Sequence, residues 1–162
     1  MIKQRARLAP PAGKGRRALG TVRCPAARAN PDVARTPPWD DGGVTPTVLI
    51  VDDHADFRAF ARSLLEAAGY DVVGEAHDGA SALAAARALR PGLVLLDVQL
   101  PDLDGFAVCE RLAEDGGAPA VVLTSSRDAS SYRRRLGGSS ARGFIGKDEL
   151  SGARLAALSG PA

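Results

Sequence analysis

Acidic, hydroxyl and basic side chains stand at the ends of short apolar runs in four separate parts of the sequence. Asp52 and Asp53 end one run, and Asp97 ends another. Thr124 ends a third run, and Lys147 follows a fourth after a single glycine. Three carboxylates brought together repel one another unless a cation or protons intervene. Because carboxylate and carbonyl oxygens are the only evident ligands, a hard divalent ion is expected, Mg²⁺ or else Mn²⁺.

The hydroxyl and the ammonium add a second kind of chemistry beside the carboxylates. A transferred phosphoryl group carries spread negative charge, which fixed positive groups and hydrogen-bond donors must meet. Thr124 supplies such a donor, and Lys147 supplies a positive charge. Together with Mg²⁺, these residues suit phosphoryl chemistry next to Asp97.

Residues this far apart in sequence meet only if the fold brings the ends of the apolar runs together. The runs alternate with segments of helical periodicity, which is typical of an α/β chain whose parallel sheet is buried on both faces. The runs occupy residues 48–51, 70–73, 93–96, 120–123 and 144–145. An open, doubly wound, five-stranded parallel sheet is therefore predicted, with the polar residues at its carboxyl edge.

The first two intervals between these runs carry clear helical patterns. One helix is predicted from an N-cap at Asp56 to a stop at Gly69. A second helix is predicted from an Asp78 cap to a point before Pro91. Its buried residues are expected to be Leu83, Ala86 and Leu89.

The remaining intervals predict one firm helix and two less regular ones. The third helix is expected after Asp104-Gly105, with Phe106, Cys109 and Leu112 buried, so Cys109 is interpreted as a core residue and not a reactive thiol. Residues 126–142 are rich in Ser, Gly and Arg, and any helix there is expected to be short. A last helix is predicted over about residues 148–158.

Composition limits the class of protein. The chain has 162 residues, of which 45% are hydrophobic and 25% charged, which fits one soluble domain and an appendage. No apolar run approaches the roughly 18 to 20 residues that cross a bilayer, so no membrane span is predicted. The 2 cysteines show no Cys-x-x-Cys spacing, and a reducing, cytoplasmic location is expected.

Residues 1–46 differ from the rest of the chain. They carry 9 Lys or Arg against 3 Asp or Glu, and 7 of the 11 prolines, whereas the other residues hold 12 basic against 16 acidic side chains. The segment lacks apolar periodicity and is predicted to be a disordered basic tail before a domain at residues 47–160. The acidic balance of that domain argues against a protein that coats nucleic acid.

The alternative reading of the tail is that translation begins at Val44, just before the first predicted strand, because a valine codon can serve as a bacterial initiator. Mass spectrometry of the natively expressed protein checks this hypothesis. A chain that starts at position 44 is expected, whereas an intact Met1 terminus refutes it.

Four motifs together resemble the receiver domain of two-component response regulators. They are Val-Leu-Ile-Val-Asp-Asp-His, Leu-Val-Leu-Leu-Asp-Val-Gln-Leu-Pro-Asp-Leu-Asp-Gly-Phe, Val-Val-Leu-Thr-Ser-Ser and Gly-Phe-Ile-Gly-Lys. Their order, their intervals and the positions of Pro101 and Gly105 agree with that family over about residues 47–158. The resemblance implies a flavodoxin-like strand order of 2-1-3-4-5 with helices on both faces.

The resemblance also implies a role for each acidic residue. Asp97 would be the phosphoacceptor, attacking a phosphohistidine on a sensor histidine kinase or a phosphotransfer protein. Asp53 would ligate Mg²⁺ directly, Asp52 would act mainly through water, and Asp97 and the backbone carbonyl of Gln99 would complete the protein ligands. His54, next to the acidic pair, is interpreted as a residue of the helix start and not as a ligand.

By the same resemblance, three further residues would respond to the phosphoryl group. Thr124 would bind a phosphoryl oxygen, and Lys147 would pair with the phosphate. Phe144 matches the aromatic switch position, and it would fill the space that Thr124 leaves when Thr124 moves toward the added charge. The surface of the fourth helix and fifth strand would then change.

Two features depart from the family pattern. Asp148 follows the lysine where many receivers have a proline, which puts the usual loop geometry, often a cis peptide, in doubt. Residues 136–140 are rich in glycine, which weakens the region that normally signals.

A single-domain response regulator that is not an enzyme is the expected function. Its partners would be the phosphodonor and a downstream protein, with no specific nucleic acid, and a phosphorylation-dependent dimer is a further option. One alternative is an interaction module that works without phosphorylation. Another is a Mg²⁺-dependent phosphohydrolase, although Gln99 stands two residues after Asp97 where a second catalytic aspartate would be needed, and no cap domain is evident.

Overall fold

A computed structural model describes residues 45–160, and these form a five-stranded sheet covered by helices. The strands are β1 (Thr47–Val51), β2 (Asp71–Ala76), β3 (Leu93–Asp97), β4 (Ala120–Ser125) and β5 (Gly143–Gly146). The α-helices are α1 (Ala55–Ala67), α2 (Gly79–Leu89), α3 (Gly105–Glu114), α4 (Arg133–Leu136) and α5 (Gly152–Ser159). Two short 3-10 helices cover Ala129–Tyr132 and Lys147–Glu149. The expectations for the basic tail and for Val44 lie outside the described residues.

All neighbouring strands pair in parallel, and the sheet order is β2-β1-β3-β4-β5. The predicted fold class and strand order are therefore confirmed. Side chains alternate between the two faces of each strand. In β1, Leu49 and Val51 pack into a core with α2 and α3, whereas Val48 and Ile50 pack into a core with α1 and α5. Both faces of β1 and β3 are covered, which explains their uninterrupted apolar runs.

The ends of the helices follow local capping chemistry in most places. The Asp78 carboxylate accepts a hydrogen bond from the Ser81 N–H in a capping box, as the sequence predicts for the start of α2. The Asp104 carboxylate caps α3 by accepting a hydrogen bond from the Phe106 N–H at 2.9 Å. Gly69 follows α1 with φ at 89°, in the left-handed region that favours glycine, and it ends that helix as predicted.

Two predicted helix starts are wrong. The N-cap of α1 is His54, and Asp56 lies inside the first turn, where its negative charge still favours the helix dipole. The last helix begins at Gly152 with Ser151 as its cap, because the residues from Lys147 to Glu149 form a separate 3-10 turn. The Ser151 hydroxyl accepts a bond from the Arg154 N–H, a local interaction that competes with an earlier start.

Burial confirms most of the predicted core positions. Phe106, Cys109 and Leu112 of α3 are buried, and burial raises the pKa of the Cys109 thiol to about 11. Cys109 is therefore a core residue that stays protonated at neutral pH. The prediction for Leu89 is wrong, because this side chain is 45% exposed at the end of α2, whereas Ala86 is buried.

The segment after β4 is as irregular as its composition predicts. A four-residue 3-10 helix leads into the four-residue α4, and together they replace a regular crossover helix. No helix among the described residues is long and apolar enough to cross a membrane.

Gly105 determines how closely α3 approaches the end of β3. A Cβ atom at this position would collide with the Asp97 carbonyl oxygen and would lie 2.7 Å from the Val98 Cα. Both are backbone atoms that cannot move away cheaply. The loop after Asp97 therefore depends on a residue without a side chain at position 105.

Replacement of Gly105 by alanine is expected to lower the free energy of unfolding by about 2 kcal/mol or more, because overpacking against backbone forces a shift of the loop. Gly138→Ala is the matched control, since a Cβ there meets nothing within 4 Å. That control is expected to leave stability unchanged or to raise it by less than about 1 kcal/mol. Urea denaturation measures both, and equal stabilities for the two variants would contradict the packing argument.

Candidate functional site at the carboxyl edge of the sheet

The carboxyl ends of the strands bring the predicted polar residues together. Asp52 follows β1 and is 0% exposed, and Asp97 ends β3 and is 2% exposed. Thr124 lies opposite Asp97 in the β3–β4 register, and it is also fully buried. Lys147 follows β5 and reaches back across the edge. The spatial prediction made from the sequence is confirmed for these four side chains.

Lys147 is the central cation of the cluster. Its Nζ atom lies 2.6 Å from Asp52 Oδ2 and 2.9 Å from Asp97 Oδ2, and it lies 4.7 Å from the centre of the Phe57 ring. Burial lowers the pKa of the Lys147 ammonium, but its bonds with Asp52 and Asp97 outweigh burial and raise that pKa above its ordinary value. The side chain is therefore an ammonium that pairs with both buried carboxylates and offsets one of their two negative charges.

The loop after Lys147 departs from the family pattern without moving the lysine out of the site. Every peptide bond among residues 45–160 is trans, including the one that joins Lys147 to Asp148. Lys147 still reaches Asp97 in this conformation.

Asp97 combines burial with hydrogen bonds to its charged form. Burial raises the pKa of the Asp97 carboxyl, and this effect exceeds the lowering by the Lys147 ammonium and by the Gln99 N–H. The Gln99 N–H donates to Asp97 Oδ1 at 3.2 Å. A carboxylate held in this way has a fixed orientation and a positive group beside it. These are favourable conditions for a nucleophile that must accept a negatively charged group.

The hydroxyls of the neighbouring residues Thr124 and Ser125 differ in their hydrogen bonding. The Thr124 hydroxyl is buried and has no hydrogen-bond partner among the described residues. The Ser125 hydroxyl accepts from the Arg127 N–H at 3.1 Å and lies 3.3 Å from the Tyr132 hydroxyl. Buried polar groups are normally paired, and an exception calls for a functional explanation. Thr124 is thus a donor opposite Asp97 that no residue within 45–160 uses.

The acidic end of the site has the donor set of a divalent cation site. Ligand atoms of Asp52, Asp53, His54 and Asp97 all lie within 4.8 Å of one another, in the part of the chain that the structure describes. Three carboxylates suit Mg²⁺ or Mn²⁺, so the residues present fit the predicted ion. The sequence interpretation placed His54 at the helix start and not among the ligands, although its position next to Asp53 was the available signal.

An aromatic row connects the site to the surface at α4. The Tyr132 ring contacts the ring of the predicted switch residue Phe144, with centres 5.8 Å apart and planes tilted by 39°. It also contacts the Phe106 ring, with centres 5.9 Å apart and planes tilted by 44°. Arg135 places its guanidinium 4.1 Å from the centre of the Phe106 ring and pairs with Asp104 at 2.7 Å. The sequence analysis missed Tyr132, whose only signal was an aromatic side chain in a segment otherwise rich in Ser, Gly and Arg.

Asp102 anchors the loop that follows Asp97. Its carboxylate accepts hydrogen bonds from the Gly79 N–H at 2.7 Å and from the Ala80 N–H at 2.9 Å, at the start of α2. These bonds hold the pKa of the Asp102 carboxyl below its ordinary value. The anchor complements the positive end of the α2 dipole and restrains the loop that carries Gln99.

Comparison with known proteins shows the family. The model of the response regulator receiver domain matches residues 48–158, and the chain belongs to this family. It is 40% identical over 102 residues to BvgA of Bordetella pertussis, which is named a positive transcription regulator of virulence factors. It is 45% identical over 83 residues to the DNA-binding response regulator MtrA of Mycobacterium leprae.

These matches cover 63% of this chain and 49% of BvgA, and 50% of this chain and 36% of MtrA. The chain thus spans about half or less of the length of these relatives. Among solved structures, the signal receiver domain of NarL from Mycobacterium tuberculosis is 31% identical, with a TM-score of 0.66. That similarity covers 74% of this chain and all of the NarL domain.

The different states of the two neighbouring hydroxyls give a paired test. Thr124→Val removes a buried hydroxyl without a partner and is expected to raise the free energy of unfolding of the unphosphorylated protein by about 1 kcal/mol. Ser125→Ala removes a hydroxyl with two partners and is expected to lower it by about 1 kcal/mol. Urea denaturation decides the point, and a loss of stability in Thr124→Val as large as in Ser125→Ala would show that Thr124 is bonded in solution.

Proposed function

We propose that Asp97 accepts a phosphoryl group from a phosphohistidine of a sensor histidine kinase or phosphotransfer protein, in a Mg²⁺-dependent reaction. A carboxylate oxygen of Asp97 attacks phosphorus, the P–N bond breaks, and the imidazole leaves with the electron pair. The observation that carries this proposal is the buried Asp97 carboxylate, which has the Lys147 ammonium at 2.9 Å and lies opposite Thr124, whose hydroxyl has no partner among the described residues. These are the donors that the three phosphoryl oxygens require.

Mg²⁺ is assigned to the acidic end of the site. Asp53 and Asp97 are its proposed direct carboxylate ligands, Asp52 acts mainly through water, and the backbone carbonyl of Gln99 completes the set. When bound, Mg²⁺ neutralises charge on the phosphoryl oxygens. Asp53 is the most accessible of the three carboxylates, with its side chain 35% exposed, which supports entry of the ion from this side.

The switch begins with a change of charge in a buried site. A phosphoryl group adds about −1.5 to −2 charge at Asp97. Lys147 pairs with this charge, and the Thr124 hydroxyl turns toward it as a donor. Phe144 then moves inward and loses its ring contact with Tyr132. The loss of this contact alters the surface formed by α4 and β5. The output is a changed protein-interaction surface.

The partners follow from this surface and from the family. A phosphodonor and a downstream protein are the proposed partners. Dimerisation of the phosphorylated form through the changed surface is a further proposed output. The expectation of no specific nucleic acid receives no support, because MtrA is named a DNA-binding response regulator and is longer than the match. We assign no enzyme activity beyond phosphorylation and dephosphorylation of Asp97 itself.

Phosphorylation by acetyl phosphate with Mg²⁺ tests the proposal directly. Intact-mass spectrometry is expected to show one added phosphoryl group, and peptide mapping after borohydride trapping is expected to place it at Asp97. Asp97→Asn is expected to lose the label, because an amide is a poor nucleophile. Asp128→Asn replaces an exposed carboxylate that is not part of the acidic group and is expected to keep the label in full.

Labelling of the Asp97→Asn variant at the same site would show that another group is the acceptor. Partner binding offers a second check on the switch. Binding that is the same for the wild type, with or without acetyl phosphate, and for Asp97→Ala would favour the alternative of a phosphorylation-independent interaction module.

A further inference from the structure

The side chain of His54 is largely exposed, but its ring contacts the carboxylates at the acidic end of the site. Its Nδ1 atom lies 2.7 Å from Asp53 Oδ1 and 3.3 Å from Asp52 Oδ1. Its backbone N–H donates to Asp52 Oδ1 at 2.9 Å, so main chain and side chain both face the same carboxylate. The imidazole does not cap α1, although His54 is the N-cap residue. Nothing in the helix start therefore requires this ring orientation.

The spacing of these atoms matches the ligands of one small cation. An octahedral ion with ligands at about 2.1 Å separates neighbouring ligand atoms by about 3.0 Å and opposite ones by about 4.2 Å. The separations of 2.7 Å and 3.3 Å from Nδ1 to the two carboxylate oxygens are of the size expected for neighbouring ligands. One ligand atom from each of the four residues, Asp97 included, lies within 4.8 Å of the others. The imidazole nitrogen is placed where a ligand would be.

An imidazole ligand changes which ion the site prefers. Mg²⁺ binds oxygen ligands, whereas Co²⁺, Ni²⁺ and Zn²⁺ bind imidazole nitrogen well. A given protein site generally binds these three ions more tightly than Mn²⁺. We propose that His54 is a further ligand of the divalent cation and shifts the selectivity of the site toward transition-metal ions that accept nitrogen. This inference rests on the proposed function, since it concerns the same cation site, but it adds a residue and a class of ion to that site.

His77 provides a matched control within the same chain. It is the other of the 2 histidines, its side chain is 69% exposed against 70% for His54, and its Nε2 atom lies 3.2 Å from Asp78 Oδ2. Asp78, however, uses its carboxylate in the capping box of α2. His77 thus has the same residue type, exposure and acidic neighbour as His54 but lies outside the group of four ligand residues.

Calorimetric titration of Mg²⁺ and of Co²⁺ into the full chain tests the proposal. All proteins carry Cys24→Ser, so that this thiol does not bind Co²⁺. Loss of even an outer partner of a metal ligand lowers affinity about 10- to 100-fold, so His54→Gln is expected to weaken Co²⁺ binding at least about tenfold. The same variant is expected to change Mg²⁺ binding less than about threefold, because Mg²⁺ gains little from nitrogen. His77→Gln is expected to change neither.

Three results would overturn the inference. These are unchanged Co²⁺ affinity in His54→Gln, an equal loss for both ions, and no Co²⁺ binding by the unsubstituted protein. An equal loss would mean that His54 only orients Asp53 by hydrogen bonding. The visible spectrum of bound Co²⁺ gives a separate check, since loss of a nitrogen ligand is expected to alter it in His54→Gln and to leave it unchanged in His77→Gln.

Labelling of Asp97 by acetyl phosphate with Mg²⁺ separates this inference from the proposed function. If Asp97 is labelled in the wild type and in His54→Gln while the ratio of Co²⁺ to Mg²⁺ affinity is the same, only the role of His54 is wrong. If Asp97 is not labelled in the wild type, the proposed function fails whatever the metal selectivity.

Discussion

The ammonium of Lys147 between the carboxylates of Asp52 and Asp97 is the interaction on which the site depends. Both carboxylates are almost fully buried, and burial of an unpaired charge is strongly unfavourable. With the lysine in place, the side chains of Asp52 and Asp97 each have a cation within 3 Å. The lysine belongs to the end of β5, whereas its partners follow β1 and end β3. The site therefore exists only when the sheet is assembled as far as β5.

The parallel sheet supplies this arrangement without long loops. The register of β3 and β4 sets Asp97 opposite Thr124, and β5 adds its carboxyl end next to β4. The loop after Asp97 is then restrained from two sides. Gly105 lets α3 approach the Asp97 backbone closely, and Asp102 ties the loop to the start of α2. These contacts hold the Asp97 carboxylate in one orientation, which reduces the reorganisation needed for the proposed phosphoryl transfer.

The proposed switch uses the aromatic row as its route from the buried site to the surface. The ring of Tyr132 contacts both the ring of Phe144 and the ring of Phe106. The guanidinium of Arg135 lies over the Phe106 ring. A change in the position of Phe144 must alter the packing of Tyr132, because cores of this density do not deform continuously. Tyr132 also sits in a short 3-10 helix, which has few backbone hydrogen bonds to hold it. The Gly-rich residues 136–140 follow on the other side of the four-residue α4, so that helix has little regular structure on either side.

Local patterns in the sequence determined the strands, most helix limits and the identity of the polar residues at the carboxyl edge. Buried parallel strands produce uninterrupted apolar runs, and caps such as Asp78 act within three residues, so both can be read without the fold. Tertiary structure alone decided the anchoring by Asp102, the ring contacts of Tyr132 and the exposure of Leu89. Those features depend on how elements distant in sequence pack against one another, and no period of 2 or 3.6 residues records such contacts.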